Sequence, residues 1–150
     1  MKKFTIATLI ALSATVASAA EFGVTGTRDY SGAENRNGYG LTLGQKFGAV
    51  GVTAGFERAT AGSNDQDRYS LVGGVDVAKL GPVTITPKVG VAYLDNQASA
   101  NGYAMTVGVG ASVPVTKQVS VGVDFARQYG QDRVSQFDGN RVTAGVKYAF

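Results

Sequence analysis

Apolar and polar residues alternate along most of the chain from residue 20 onward. In the stretch VSVGVDFA at 119–126, every second residue is a large apolar one, and the residues between are small or polar. Successive side chains of a β-strand point to opposite faces, so this spacing predicts a strand with one apolar face. Eight such segments are predicted, at 21–29, 38–47, 49–58, 68–78, 82–94, 102–113, 118–128 and 140–150.

The composition of the non-apolar face decides how these strands are used. It consists mostly of Gly, Ala, Ser and Thr, as at Gly40, Thr42 and Gly44, with one or two charges per strand. A solvated outer surface would carry abundant Lys, Glu and Gln, whereas small side chains suit the narrow interior of an eight-stranded barrel. The opposite face is apolar, as lipid contact requires. The pattern therefore favours a transmembrane barrel over a soluble sandwich.

The connections between strands support the same architecture. Three links are tight, around Gly48, at 79–82 and at 115–117, and they alternate with longer polar links at 30–37, 59–67, 96–100 and 129–139. An outer-membrane barrel has short periplasmic turns and longer external loops. We therefore predict that both termini lie in the periplasm.

Aromatic residues are predicted to form two girdles at the ends of the apolar face. Such rings favour the level of the lipid headgroups. One set occupies the ends nearest the short turns, and the other set occupies the opposite ends: Phe22, Phe47, Tyr148 and Phe150, then Tyr39, Phe56, Tyr69, Tyr93, Tyr103 and Phe125.

Residues 1–19 have the features of an export signal. Lys2 and Lys3 precede an uncharged, mostly apolar run, and the small residues ASA at 17–19 suit a signal peptidase. The run is too short and too rich in Ala, Ser and Thr to favour a membrane anchor helix. We predict that residues 1–19 are a signal peptide cleaved near Ala19, which leaves 20–150 as one barrel domain. Without the two lysines the chain is nearly neutral, so its pI of about 9.2 does not indicate a nucleic-acid partner.

The last stretch, TAGVKYAF, carries the most specific motif. Its residues Thr143, Gly145, Tyr148 and Phe150 resemble the assembly signal of bacterial outer-membrane β-barrel proteins. In size and pattern the chain resembles the small eight-stranded members, the OmpA transmembrane domain and OmpX. The resemblance implies an all-β, eight-stranded antiparallel up-and-down barrel in the outer membrane of a Gram-negative cell. It also implies recognition by the barrel assembly machinery.

The predicted interior carries charges of both signs. They are Lys46, Glu57, Asp76, Lys88, Asp124, Arg141 and Lys147. We predict an interior network of ion pairs that plugs the lumen, because side chains can just fill a barrel of eight strands. A narrow charge-lined channel for ions or small solutes is the alternative.

Residue types also limit the chemistry. The chain has no histidine and no cysteine, which removes the usual general base and thiolate chemistry. The barrel lipases, proteases and acyltransferases, as families, use a catalytic histidine. We therefore predict a protein without enzymatic activity, cofactor or metal, and with a structural or surface-interaction role carried by four external loops.

Two further expectations concern particular residues. Pro87 lies inside a predicted strand and cannot donate a ladder hydrogen bond, so we expect a bulge or local break there. All seven arginines lie in or beside the long links, and Arg28, Arg58, Arg68 and Arg127 lie nearest the outer girdle. The guanidinium group binds phosphate through two parallel hydrogen bonds, so these four are candidate contacts to lipopolysaccharide, if they do not merely balance loop carboxylates.

Overall fold

The computed structural model describes residues 20–31, 35–62, 64–96, 101–131 and 138–150, and the predicted signal peptide at 1–19 lies outside them. In these ranges no helix is long and apolar enough to cross a membrane. The described residues form nine strands: β1 (Ala20–Ser31), β2 (Asn35–Phe47), β3 (Val50–Ala61), β4 (Asn64–Val75), β5 (Ala78–Leu80), β6 (Val83–Asn96), β7 (Gly102–Pro114), β8 (Val119–Gly130) and β9 (Gly139–Ala149).

The strands close into a barrel. Strands adjacent in the chain pair antiparallel, except β4 and β5, which do not pair with each other; β1 also pairs with β9, and β4 pairs with β6. Because β4 and β5 lie end to end against β6, they act as one strand, and the barrel has eight. The predicted eight-stranded up-and-down barrel is confirmed. Its closure joins the backbone hydrogen bonds of the first and last strands.

The strands are staggered around the barrel. A row of register partners begins at Val121 on β8 and returns to the chain at Gln131, the residue that follows β8, whose amide donates to the Tyr103 carbonyl at 2.9 Å. The row passes through Val146, Val24, Leu41, Phe56, Tyr69, Tyr93 and Tyr103. A stagger of this kind tilts every strand relative to the barrel axis.

The two ends of the barrel differ less in connection length than the sequence suggests. We call the end with links 48–49, 81–82 and 115–118 the turn end, and the opposite end the loop end. The loop-end links lie at 32–34, 62–63, 97–101 and 131–138, so the strict alternation of long and short links was wrong. Residues assigned to loops extend the strands, because polar partners such as Arg58 and Asp67 pair across the ladder.

The irregularity expected at Pro87 lies on the neighbouring strand. Strand β6 runs unbroken through Pro87, while its partner is interrupted at Asp76 and Val77 between β4 and β5. The Val77 amide donates to the Ile85 carbonyl at 3.0 Å, so the backbone groups of Ile85 face this interruption. Pro87 lies two residues further along β6, and its backbone therefore faces the same side. Because proline has no backbone N–H, it cannot donate a hydrogen bond to the partner strand, and the regular ladder is interrupted there.

The outward face is apolar and carries the predicted aromatic rings. Large side chains on it remain exposed, including Leu41, Val91 and Val107, each about half accessible. The buried apolar residues among those described are only Ala59, Ala92, Leu94 and Ala104. A soluble protein would bury its large apolar side chains, so this surface requires an apolar solvent.

Candidate functional site

Among the described residues, the buried charged side chains lie in the barrel interior. Inward positions alternate with outward ones on every strand, and the inward ones combine glycine with polar residues. The buried polar side chains are Thr27, Arg36, Glu57, Gln66, Arg68, Asn96, Thr106, Gln128 and Arg141. All of them lie in the half of the barrel nearest the loop end.

Arg141 is the centre of this buried group. Its Nη1 lies 3.0 Å from Asp29 Oδ1, and its Nη2 donates to Glu57 Oε2. The Thr27 hydroxyl also donates to Glu57 Oε2, at 2.9 Å. One guanidinium group therefore pairs with two carboxylates and offsets the cost of removing them from water.

Arg68 is a second buried arginine, and its position corrects the sequence interpretation. It points into the barrel with 6% of its surface exposed, so it cannot contact lipid on the outer face. Its Nη1 donates to Gln128, and its Nη2 donates to Thr106 Oγ1 at 3.0 Å. Arg68 lies two residues from Gln66 on the same inward face, and the loop assigned to 59–67 obscured this alternation.

Apolar side chains fill the space beside these arginines. Leu94 is fully buried and clusters with Ala92 and Ala104. Arg68 is the register partner of Leu94 across the β4–β6 ladder. This layer and the arginines together occupy the loop-end half of the barrel interior.

The half of the interior nearest the turn end carries three further ion pairs among the residues that the structure describes. Lys46 Nζ lies 2.8 Å from Asp76 Oδ2, and Lys147 Nζ lies 3.6 Å from Glu21 Oε2. Lys88 pairs with Asp124. These pairs are partly accessible to solvent, which screens the attraction between their charges.

Glycine makes room for one of these pairs. A Cβ atom at Gly110 would collide with Asp124 Oδ1 and would lie 2.9 Å from Lys88 Nζ. A side chain at this inward position would displace the ion pair. The glycine therefore serves the interior network rather than a turn.

The seven charges predicted to line the interior all point inward. The structure brings six of them into pairs with one another: Lys46 with Asp76, Lys88 with Asp124, and Arg141 with Glu57. The seventh, Lys147, has Glu21 as its partner. Sequence reasoning missed the inward Glu21, Asp29 and Arg36, although Glu21 and Asp29 keep the alternation of Thr25 and Thr27.

Two cavities lie inside the part of the barrel that the structure describes. The larger, about 390 Å³, reaches the turn end near Lys117 and is bounded toward the loop end by Glu57, Arg68 and Arg141. The smaller, about 10 Å³, lies at the loop end beside Asp29 and Gln66, and could hold roughly one water molecule. Arg141 lines both cavities.

Three of the four arginines proposed to contact glycolipid face outward. Arg28 lies over the Tyr30 ring at 5.4 Å, and Arg127 lies over the Tyr129 ring at 5.7 Å. Arg58 instead forms a two-bonded pair with Asp67, at 2.7 and 2.8 Å. Neither Arg28 nor Arg127 forms an ion pair within the described part of the chain.

The residues of the terminal motif divide between the two faces of β9. Thr143 and Gly145 point inward, and Thr143 lies within hydrogen-bond distance of Thr27 at 3.3 Å. Tyr148 and Phe150 point outward at the turn end, with ring centroids 5.1 Å apart. The Phe150 amide donates to the Ala20 carbonyl at 3.0 Å, at the seam where the barrel closes.

Comparison with known proteins identifies the fold. No family model and no curated protein matches the sequence. The solved structures include Neisserial surface protein A, with 15% identity and a TM-score of 0.65 over 89% of this chain and 97% of that chain. A major outer membrane protein of Thermus thermophilus has 17% identity and a TM-score of 0.65, with 88% of this chain and 100% of that chain covered.

A third similar structure is the outer membrane protein Ail of Yersinia pestis. It has 14% identity and a TM-score of 0.56, over 89% of this chain and 99% of that chain. At such identities the likeness concerns the fold. The chain therefore has the fold of small outer-membrane barrels, as its sequence pattern predicts.

Proposed function

We propose that this protein is an integral outer-membrane β-barrel of a Gram-negative cell, without enzymatic activity, and with a structural or surface-interaction role. The observation that carries the proposal is the closed barrel with apolar side chains outward and paired charges inward. Such a surface is stable only in hydrocarbon, and closure satisfies the backbone there. The fold shared with outer membrane protein Ail supports the same location.

The proposed orientation places the loop end outside the cell and both termini in the periplasm. The longest connection between strands, 131–138, lies at the loop end, as is usual for external loops. The loop end then presents the surface that meets other molecules. Ail is the attachment invasion locus protein of Yersinia pestis, and a surface role of this kind is our proposal for this chain.

Thiol labelling of intact cells tests both location and orientation, because the chain contains no cysteine. Thr60→Cys at the loop end should react with a membrane-impermeant maleimide, since Thr60 is exposed. Lys117→Cys at the turn end should react only after the outer membrane is permeabilised. The reverse pattern would contradict the orientation, and absence of both variants from the outer-membrane fraction would contradict the location.

A narrow channel is the alternative function. The larger cavity favours it, but the buried side chains of Arg68 and Arg141 line that cavity at its loop-end side. We expect the purified barrel to show no ohmic conductance in a planar bilayer at the level of a general porin. A steady conductance of that size would overturn the closed lumen and favour the channel.

Outer-membrane lipid and lipopolysaccharide are the proposed lipid partners, and the barrel assembly machinery is the proposed partner during biogenesis. Of the arginines considered for phosphate contact, Arg28 and Arg127 remain outward without a carboxylate partner in the described ranges. Their planar groups can donate to two phosphate oxygens, whereas Arg58 already donates to both oxygens of Asp67.

A further inference from the structure

Outward charges at the loop end are divided between two sides of the barrel. On β8, β9, β1 and β2 the charged side chains at outward strand positions are Arg28 and Arg127. On β3, β4 and β6 the outward charges of the loop-end half are Arg58, Asp65, Asp67 and Asp95. The outward strand positions of the described residues therefore give one basic side and one acidic side, with the carboxylate of Asp138 in the link between β8 and β9 accepting from the Gly130 amide.

The two sides are opposite each other. The basic side is centred on β9, which lies between β8 and β1, and the acidic side is centred on β4, which lies between β3 and β6. From β9 to β4 the path through β1, β2 and β3 has as many steps as the path through β8, β7 and β6. Two features half a turn apart on one barrel can contact each other only between two molecules.

The acidic side has a ridge of aromatic rings. Phe56, Tyr69, Tyr93 and Tyr103 are consecutive register partners on four adjacent strands. Ring centroids lie 5.3 Å apart for Phe56 and Tyr69, and 5.2 Å apart for Tyr93 and Tyr103. Asp67 lies two residues from Tyr69 toward the loop end, and Asp95 lies two residues from Tyr93 in the same direction, so carboxylates border the ridge on that side.

The basic side has a shallow groove. Gly26 and Ala144 are register partners on the outward face, and a Cβ atom at Gly26 would meet nothing within 4 Å. Tyr39, the partner of Gly26 on β2, stands beside this groove with 66% of its surface exposed. Arg28 follows Gly26 by two residues toward the loop end. The order along the barrel is therefore the same as on the acidic side, with the packing feature first and the charge beyond it.

We propose that the basic side of one barrel docks against the acidic side of a second copy of this chain. The aromatic ridge of one copy packs into the Gly26–Ala144 groove of the next, and Arg28 and Arg127 meet Asp65 and Asp95. Lipid tails give no hydrophobic drive for association, so shape and charge have to supply it. Both features are complementary here, and neither arginine has an ion pair within its own described chain.

The contact uses different surfaces on the two copies, so it is heterologous. Because the two surfaces are half a turn apart, successive contacts extend into a linear row rather than close into a small ring. This inference rests on the proposed membrane location. A carboxylate and a glycolipid phosphate compete for the same guanidinium N–H groups, so docking displaces phosphate from Arg28 and Arg127.

Cross-linking of paired cysteine variants tests the contact. Thr60→Cys lies near Asp65 on the acidic side, and Asn140→Cys lies near Arg127 on the basic side. In phospholipid bilayers, a short bifunctional maleimide should join a mixture of these two variants into dimers. Either variant alone should give little dimer. Asn35→Cys on β2, at the edge of the basic side and a quarter turn from the centres of both sides at β9 and β4, is the control for random encounter.

Charge reversal tests the ion pairs. Adding Arg28→Glu and Arg127→Glu to the Asn140→Cys barrel should lower the cross-linked fraction by about fivefold or more. Adding Asp65→Lys and Asp95→Lys to the Thr60→Cys barrel should restore it. Equal cross-linking of all cysteine combinations, or no response to reversal, would overturn the proposal.

Addition of lipopolysaccharide tests whether a glycolipid or a second copy of this chain binds the basic side. If it abolishes the cross-link, and the double arginine variant retains less lipopolysaccharide, the glycolipid is the occupant and the proposal is wrong. Persistence of the cross-link supports it. Maleimide labelling of cells reads membrane location separately, so failure of the contact and failure of the proposed function are distinguishable.

Discussion

Replacing Arg141 with alanine is expected to lower the free energy of unfolding by about 3–5 kcal/mol. This side chain pairs with both Asp29 and Glu57 inside the barrel, and it is 8% exposed. Its removal leaves two carboxylates without this counter-charge in the loop-end half of the barrel interior. Urea unfolding of the refolded barrel in lipid, followed by tyrosine fluorescence, measures the change.

Two variants make this prediction specific. Glu57→Ala should cost less than Arg141→Ala, because Arg141 keeps its pair with Asp29 at 3.0 Å. Arg127→Ala, on the outward face, should change the free energy of unfolding by less than about 1 kcal/mol. Equal effects of Arg141→Ala and Glu57→Ala would mean that the charge on Asp29 does not depend on this arginine.

Deleting Phe150 is expected to remove most of the folded barrel from the outer membrane while changing the stability of the refolded protein little. The Phe150 side chain is 76% exposed, and its backbone contributes one hydrogen bond to Ala20. One exposed hydrogen bond and one ring contact amount to roughly 1–2 kcal/mol. The resemblance of TAGVKYAF to the assembly signal gives Phe150 its larger role, in recognition before folding. Heat-modifiable barrel in outer-membrane fractions is the measurement.

Phe47→Ala is the matched control for the loss of an aromatic ring. Phe47 also points outward at the turn end and is 48% exposed, but it lies outside the terminal motif. Its replacement should leave outer-membrane levels close to those of the unchanged protein. If both variants reach the outer membrane equally, the end of the chain has no recognition role. If deletion of Phe150 prevents refolding in lipid as well, its effect is on folding.

Particular residues show how far the strand pattern reaches. The alternation at 119–126 alone predicts that Asp124 points inward, and the structure pairs it with Lys88. The same rule applied to Arg68 would have placed it inside, but a loop was assigned to the polar residues before it. The polar composition of residues 64–67 is typical of a loop, yet these residues belong to β4, because a strand can carry polar residues on both faces once it extends beyond the apolar band.

By itself the sequence determined the strands, the face to which most side chains belong, the closed barrel and the paired character of its interior. These properties follow from a period of two, which each strand carries locally. The tertiary structure alone decided that Arg141 serves both Asp29 and Glu57, that the interruption opposite Pro87 falls at Asp76, and that outward charges divide between opposite sides. Each depends on which residues become neighbours across strands, and that is set by the stagger with which the whole barrel closes, a property that no single strand contains.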